Sequence, residues 1–215
     1  MREAYIEIAL EIGESWDKLK SIIQRSIGVI NALIYNINLH LSNDILCKQL
    51  SERVIQSSNY MIINDYCDRI KNLCVELLGF LDQFHKNHFS DINKTIKWIN
   101  DEYSFLNHLN CDKSEFMYAN KRVLTLYKSL ILCTSIENSY NVLYSIVSTI
   151  EKNIDYYVQY IIIKSEHNGN LCGGTTNTEF PLKTDIIDKF NELSNFVCYD
   201  GSGEVKTIRN YIENG

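Results

Sequence analysis

Residues 85–111, HKNHFSDINKTIKWINDEYSFLNHLNC, open with two histidines three apart, His85 and His88, and close with a histidine and a cysteine three apart, His108 and Cys111. Two such pairs separated by nineteen residues fall within the gap range of a structural zinc motif. The residues between the pairs point elsewhere. Ser90 reads as an N-cap, Asp91 suits the positive end of a helix dipole, and Ile92, Ile96, Ile99, Tyr103 and Leu106 recur at steps of four and three. A helix over 91–107 would be about 25 Å long at ~1.5 Å per residue. It would hold His88 and His108 at opposite ends, far beyond the ~2.0–2.3 Å of bonds to one zinc. The stretch therefore predicts a helix and no metal site, with His85 and His88 on a solvated helix end beside Lys86.

The same logic extends in both directions. Between Gly79 and Gly169 there is neither glycine nor proline, and Pro181 is the only proline of the chain. Without strong breakers, helices joined by short polar turns are the economical reading. Toward the N-terminus, Tyr5, Ala9, Ile12, Trp16, Leu19, Ile23, Ile27, Ile30, Ile34, Ile37 and Leu41 advance in ten steps over 36 residues, an average of 3.6, the period of a straight helix burying one stripe. Gly13 and Gly28 each weaken that helix by about 1 kcal/mol relative to Ala, which predicts a bend or break near Gly28. A short helix is expected from Ser42 through Val54, ended by QSSNY. Ile63, Cys67, Ile70, Cys74, Leu77, Leu81 and Phe84 then alternate four and three without a slip, a seam of 3.5 period that requires a closely packed partner helix. Beyond a cap at Ser114, Val123, Leu126, Leu130 and Cys133 form one stripe, and Leu143, Val147, Ile150, Ile154, Tyr157 and Ile161 another. Whether TSIENS, 134–139, is a turn or the middle of one helix is open at this level. The fold predicted is an all-α bundle of five to seven amphipathic helices, with a helical content above about half.

Residues 165–184, SEHNGNLCGGTTNTEFPLKT, hold Gly169, Gly173, Gly174 and the proline. A loop of this length exceeds the ~12–15 residues usual in compact domains, so it reads as a tether or a functional loop. The expected organisation is a bundle over 1–164, the loop over 165–184, and a helical segment over 185–215 docked on the bundle. In that last segment Asp185 reads as a cap and Val205, Ile208 and Ile212 mark the final helix.

Composition bounds the function. The 215 residues carry a net charge of −6, and no run of five basic residues offsets it, which argues against a nucleic-acid role. Glu3, Glu7, Glu11 and Glu14 stand where a signal peptide would need an apolar core, and no 18-residue apolar stretch occurs, so an intracellular chain without membrane insertion is expected. Seven cysteines without a CxxC read as reduced thiols. Isoleucine occurs 29 times, asparagine 23 and alanine four, a bias expected of an AT-rich genome such as that of a virus, parasite or bacterium.

Motifs for phosphate cradles, hydrolase elbows, zinc proteases and dinucleotide sites do not occur. Asp65 and Asp68 of NDYCD read as acids of a first helical turn. Cys172, five residues after His167, lies in a glycine loop ill suited to hold catalytic geometry. The function expected is a non-enzymatic module, without cofactor, that binds another protein and is compatible with homo-oligomers, of the kind used in host interaction by viruses and pathogens. Its candidate contact residues are Leu171, Cys172, Gly173, Gly174 and Phe180. An all-α enzyme with scattered acids and histidines, and an acidic immunity protein or antitoxin, are the alternatives.

Overall fold

The structure, a computed structural model, describes residues 2–48, 56–106, 113–167 and 182–214. These form α1 (Arg2–Lys48), α2 (Gln56–Leu106), α3 (Lys113–His167), α4 (Leu182–Ser194) and α5 (Ser202–Asn214). No strand occurs among the described residues, and the chain is an all-α bundle.

Several expected boundaries dissolve into longer helices. Ser42 lies inside α1, Ser90 inside α2, and α1 continues through Gly28 without interruption. Helix starts at Lys113 and Leu182 place Ser114 and Asp185 within first turns rather than at caps. The reason at Ser90 is burial. Leu81, Phe84, Ile92, Thr95 and Ile99 are all buried on one face, so ending the helix at Ser90 would break a continuous buried seam to gain a single cap.

TSIENS is likewise the middle of one helix. Leu126, Ser129, Cys133, Ile136, Tyr140, Leu143, Val147, Ile150, Ile154 and Tyr157 are buried at alternating steps of three and four, straight through 134–139. The hydroxyl that could have ended the helix is satisfied within it, since Thr134 Oγ1 donates to the Leu130 carbonyl at 2.7 Å. In α1, where Ile6 and Leu10 are also buried, the seam runs through Ala9, Ile12, Trp16, Leu19, Ile23, Ile27, Ile30, Leu33 and Ile37. They average 3.5 residues per step, with Leu33 buried where the expected stripe took Ile34. All three long helices thus bury seams with steps of three and four that suit close helix packing.

The chain groups into two compact units: 1–23, 80–142 and 197–215 form the first, and 24–79 and 143–196 the second. Each of α1, α2 and α3 supplies a segment to both, joined by α5 in the first and α4 in the second. In the first unit Tyr5 stacks on Trp98 with centroids 4.8 Å apart, Trp16 meets Phe84 edge-on at 5.2 Å, and Phe89 meets Tyr140 at 4.5 Å. Gly13 gives α5 its seat: a Cβ there would stand 2.8 Å from Val205 Cγ2 and 3.1 Å from Leu132 Cδ2. In the second unit Lys71 pairs with Asp155 at 2.5 Å, Tyr157 packs edge-on against Phe190 at 5.6 Å, and Ser194 Oγ donates to Asn31 Oδ1 at 3.0 Å. Its core runs through Ile30, Ile37, Ile63, Ile70, Leu77 and Leu193.

Candidate interaction surface

Leu171, Cys172, Gly173, Gly174 and Phe180, the contact residues expected from sequence, lie outside the described residues, as do His108 and Cys111. The other half of the histidine–cysteine set is placed, and it packs with aromatic rings. His85 lies 4.2 Å from the Phe89 ring and 5.5 Å from that of Tyr140, while His88 lies 4.9 Å from Phe84. Burial lowers the His88 pKa against the opposing pull of Asp91 and Glu11. Asp65 and Asp68 are exposed and sit well inside α2, not in its first turn; Asp68 accepts from Asn64 Nδ2 at 3.1 Å. No group of three or more His, Cys, Asp or Glu side chains among the described residues could hold a metal ion. Cys67, Cys74 and Cys133 are buried thiols whose pKa burial pushes up to about 12, and Cys198 to about 11, the opposite of an activated nucleophile.

A polar cluster of the first unit gathers at the turn before α5. Trp16 Nε1 donates to the Tyr199 carbonyl at 3.3 Å, and the Tyr199 amide donates to Ser139 Oγ at 3.4 Å. Tyr199 OH donates to Glu204 at 3.0 Å, and Glu204 also pairs with Lys128 at 3.3 Å. Asp200 pairs with Lys20 at 2.8 Å and accepts from the Ser202 amide at 3.1 Å, an Asx turn leading into the helix. Burial and the Glu204 carboxylate raise the Tyr199 pKa, so the phenol stays a neutral donor. These bonds fix α5 to α1 and α3.

Two carboxylates of this cluster have opposite linkage to pH. The Lys20 ammonium and the Ser202 amide hold Asp200 down to about 2, so its contribution to stability is present above the ordinary value of 3.8 and is lost as pH falls toward 2. Asp17 is raised, chiefly by burial and further by Asp200 and Glu14, with Lys20 opposing. Its charged form is therefore disfavoured in the fold, a penalty that is full at neutral pH and vanishes once Asp17 protonates. At pH 7 Asp17→Asn should raise the melting midpoint and Asp200→Asn should lower it. Both differences should shrink toward pH 2, as thermal melts at several pH values would show; shifts of the same sign at pH 7 would contradict the assignment.

The feature best suited to recognition lies on α1 in the second unit. From Ser26 to Asn43 the sequence SIGVINALIYNINLHLSN contains no Asp, Glu, Lys or Arg. Its inward face fills the core, while its outward face presents Gly28, Ala32, Tyr35 and Leu39 at steps of four, three and four, with Val29 beside them. Tyr35 is 68% exposed, Leu39 46% and Val29 40%. On α2 of the same unit the exposed Met61 and Val75 alternate with Asp65, Asp68, Arg69, Asn72 and Glu76, so that helix keeps a solvated face. An amphipathic surface helix normally carries its charges outward; this segment of α1 carries none. The signal was present in the sequence as an uncharged run, but the core period alone does not reveal it.

No protein-family model, curated protein or solved structure matches this chain. Among the described residues no helix is long and apolar enough to cross a membrane, so the uncharged run is not a membrane span.

Proposed function

We propose that the chain is a non-enzymatic helical-bundle module that binds protein through the outward ridge of α1, Gly28 to Leu39, in an intracellular setting such as host interaction. The observation that carries this reading is the uncharged outward ridge of Gly28, Val29, Ala32, Tyr35 and Leu39, with the exposed Asn38 beside it, over three turns of a helix whose inward face already fills its share of the core. Helix faces with anchors at such spacing are a recurrent mode of recognition. Exposed aromatic and aliphatic side chains grouped on one face mark interaction sites more often than scattered ones do. Because Tyr35 and Leu39 contribute little to the core, Tyr35→Glu/Leu39→Glu should leave far-ultraviolet circular dichroism and the melting midpoint nearly unchanged. The same double variant should lose the proteins that the unmodified chain captures from a host-cell extract. Capture that survives both substitutions would contradict the reading.

A further inference from the structure

Resting on the same ridge, we propose that its occupant is the α1 ridge of a second copy of the chain, packed antiparallel about a two-fold axis. A two-fold interface must be self-complementary, and the order of residues on the ridge meets that condition. The steps from Gly28 to Ala32, Tyr35 and Leu39 are those of alternating coiled-coil seam positions. In the antiparallel register Gly28 faces Leu39 of the second copy and Ala32 faces its Tyr35, so each small residue receives a large one. The parallel register would set Gly28 against Gly28 and Tyr35 against Tyr35, leaving a void at one layer and a collision at another.

Charge points the same way. Each copy carries −6, and the run from Ser26 to Asn43 is free of the acids through which two copies would repel. The run is bounded by Arg25 at one end and Asp44 at the other, so antiparallel pairing brings ends of opposite sign together. The ridge from Gly28 to Leu39 is about 17 Å long at ~1.5 Å per residue, so a strip one helix (~10 Å) wide covers roughly 170 Å², well short of the ~800 Å² per partner that stable interfaces bury. The dimer is therefore weak, concentration-dependent, and strengthened by salt that screens the net repulsion.

Sedimentation velocity of the full chain, from low micromolar to submillimolar concentration, should show a monomer–dimer equilibrium that tightens with added salt. Gly28→Leu is the discriminating variant. Nothing lies within 4 Å of the position its Cβ would take, so the monomer accommodates the side chain and gains helix propensity. The new leucine occupies the space meant for Leu39 of the second copy, and association should weaken by at least about tenfold. For the register, chains with Ala32→Cys mixed with chains carrying Tyr35→Cys should cross-link above the background of the native cysteines, whereas Gly28→Cys alone should not. A chain that is monomeric throughout, a Gly28→Leu variant that associates as tightly as the unmodified chain, or self-cross-linking of Gly28→Cys would overturn the inference. If the chain is monomeric while Tyr35→Glu/Leu39→Glu still abolishes capture, the dimer falls and the protein-binding function stands. If neither association nor capture responds to the ridge, both fall.

Discussion

Trp16→Ala should cost about 3–5 kcal/mol of stability, the range for removing a large aromatic side chain from a core. Trp16 is completely buried, meets Phe84 edge-on, and bonds through its indole nitrogen to the Tyr199 carbonyl in the turn that leads into α5. Its loss removes apolar burial and leaves a cavity, and it also takes the donor from a part-buried carbonyl. The melting midpoint should fall by roughly 6–20 °C for a chain of this size. Trp16→Phe separates the effects. It keeps much of the ring packing but removes the hydrogen bond, and should cost about 1–2 kcal/mol. Calorimetry on both variants checks the ordering; equal costs would mean that the indole nitrogen, rather than the ring volume, dominates at this position.

Asn138→Pro should be comparably damaging, at about 3 kcal/mol or more, because proline in a helix interior removes a backbone donor and collides with the carbonyl four residues back. Asn138 is exposed, so the substitution perturbs the backbone of α3 with little change to the core. Asn138→Ala, which keeps the backbone donor, should be neutral or slightly stabilising. Were 134–139 a turn between two helices, proline there would be tolerated and the two variants would melt alike.

Those six residues also show what was legible in the sequence and what was not. The seam from Ile63 to Phe84 could be read directly, and all seven of its residues are buried, because a strict 3.5 period leaves no other face for the core. The caps misled where local and tertiary signals disagree. Ser42 and Ser90 favour helix starts locally, but the long helices run through both positions. In α3 the pattern remained open because Thr, Ser and Asn compete with the helix in isolation; only the structure shows Thr134 bonded back to Leu130 with Ile136 and Tyr140 on the buried seam. Leu33 and Ile34 divide the seven residues from Ile30 to Ile37 as three and four or as four and three, so the period admits either and the neighbouring helices decide.

The candidate surface was less legible than the fold. An inward stripe is recognised by its period, whereas the α1 ridge is marked by missing charge, and only the exposure of Tyr35 and Leu39 separates it from more core. Residues 171–180, which lie outside the described residues, are more conspicuous in the sequence, since glycine and proline stand out in a chain that otherwise has few.

The central structural claim is that α1, α2 and α3 are single long helices where sequence signals suggest interruptions. Amide hydrogen exchange across 85–91 of α2 and 134–139 of α3 tests it most directly. Continuous helices hydrogen-bond these amides as they do the flanking turns, and the expected result is protection in both stretches comparable to that of residues on either side. Rapid exchange confined to 134–139 or 85–91, with protected flanks, would contradict it.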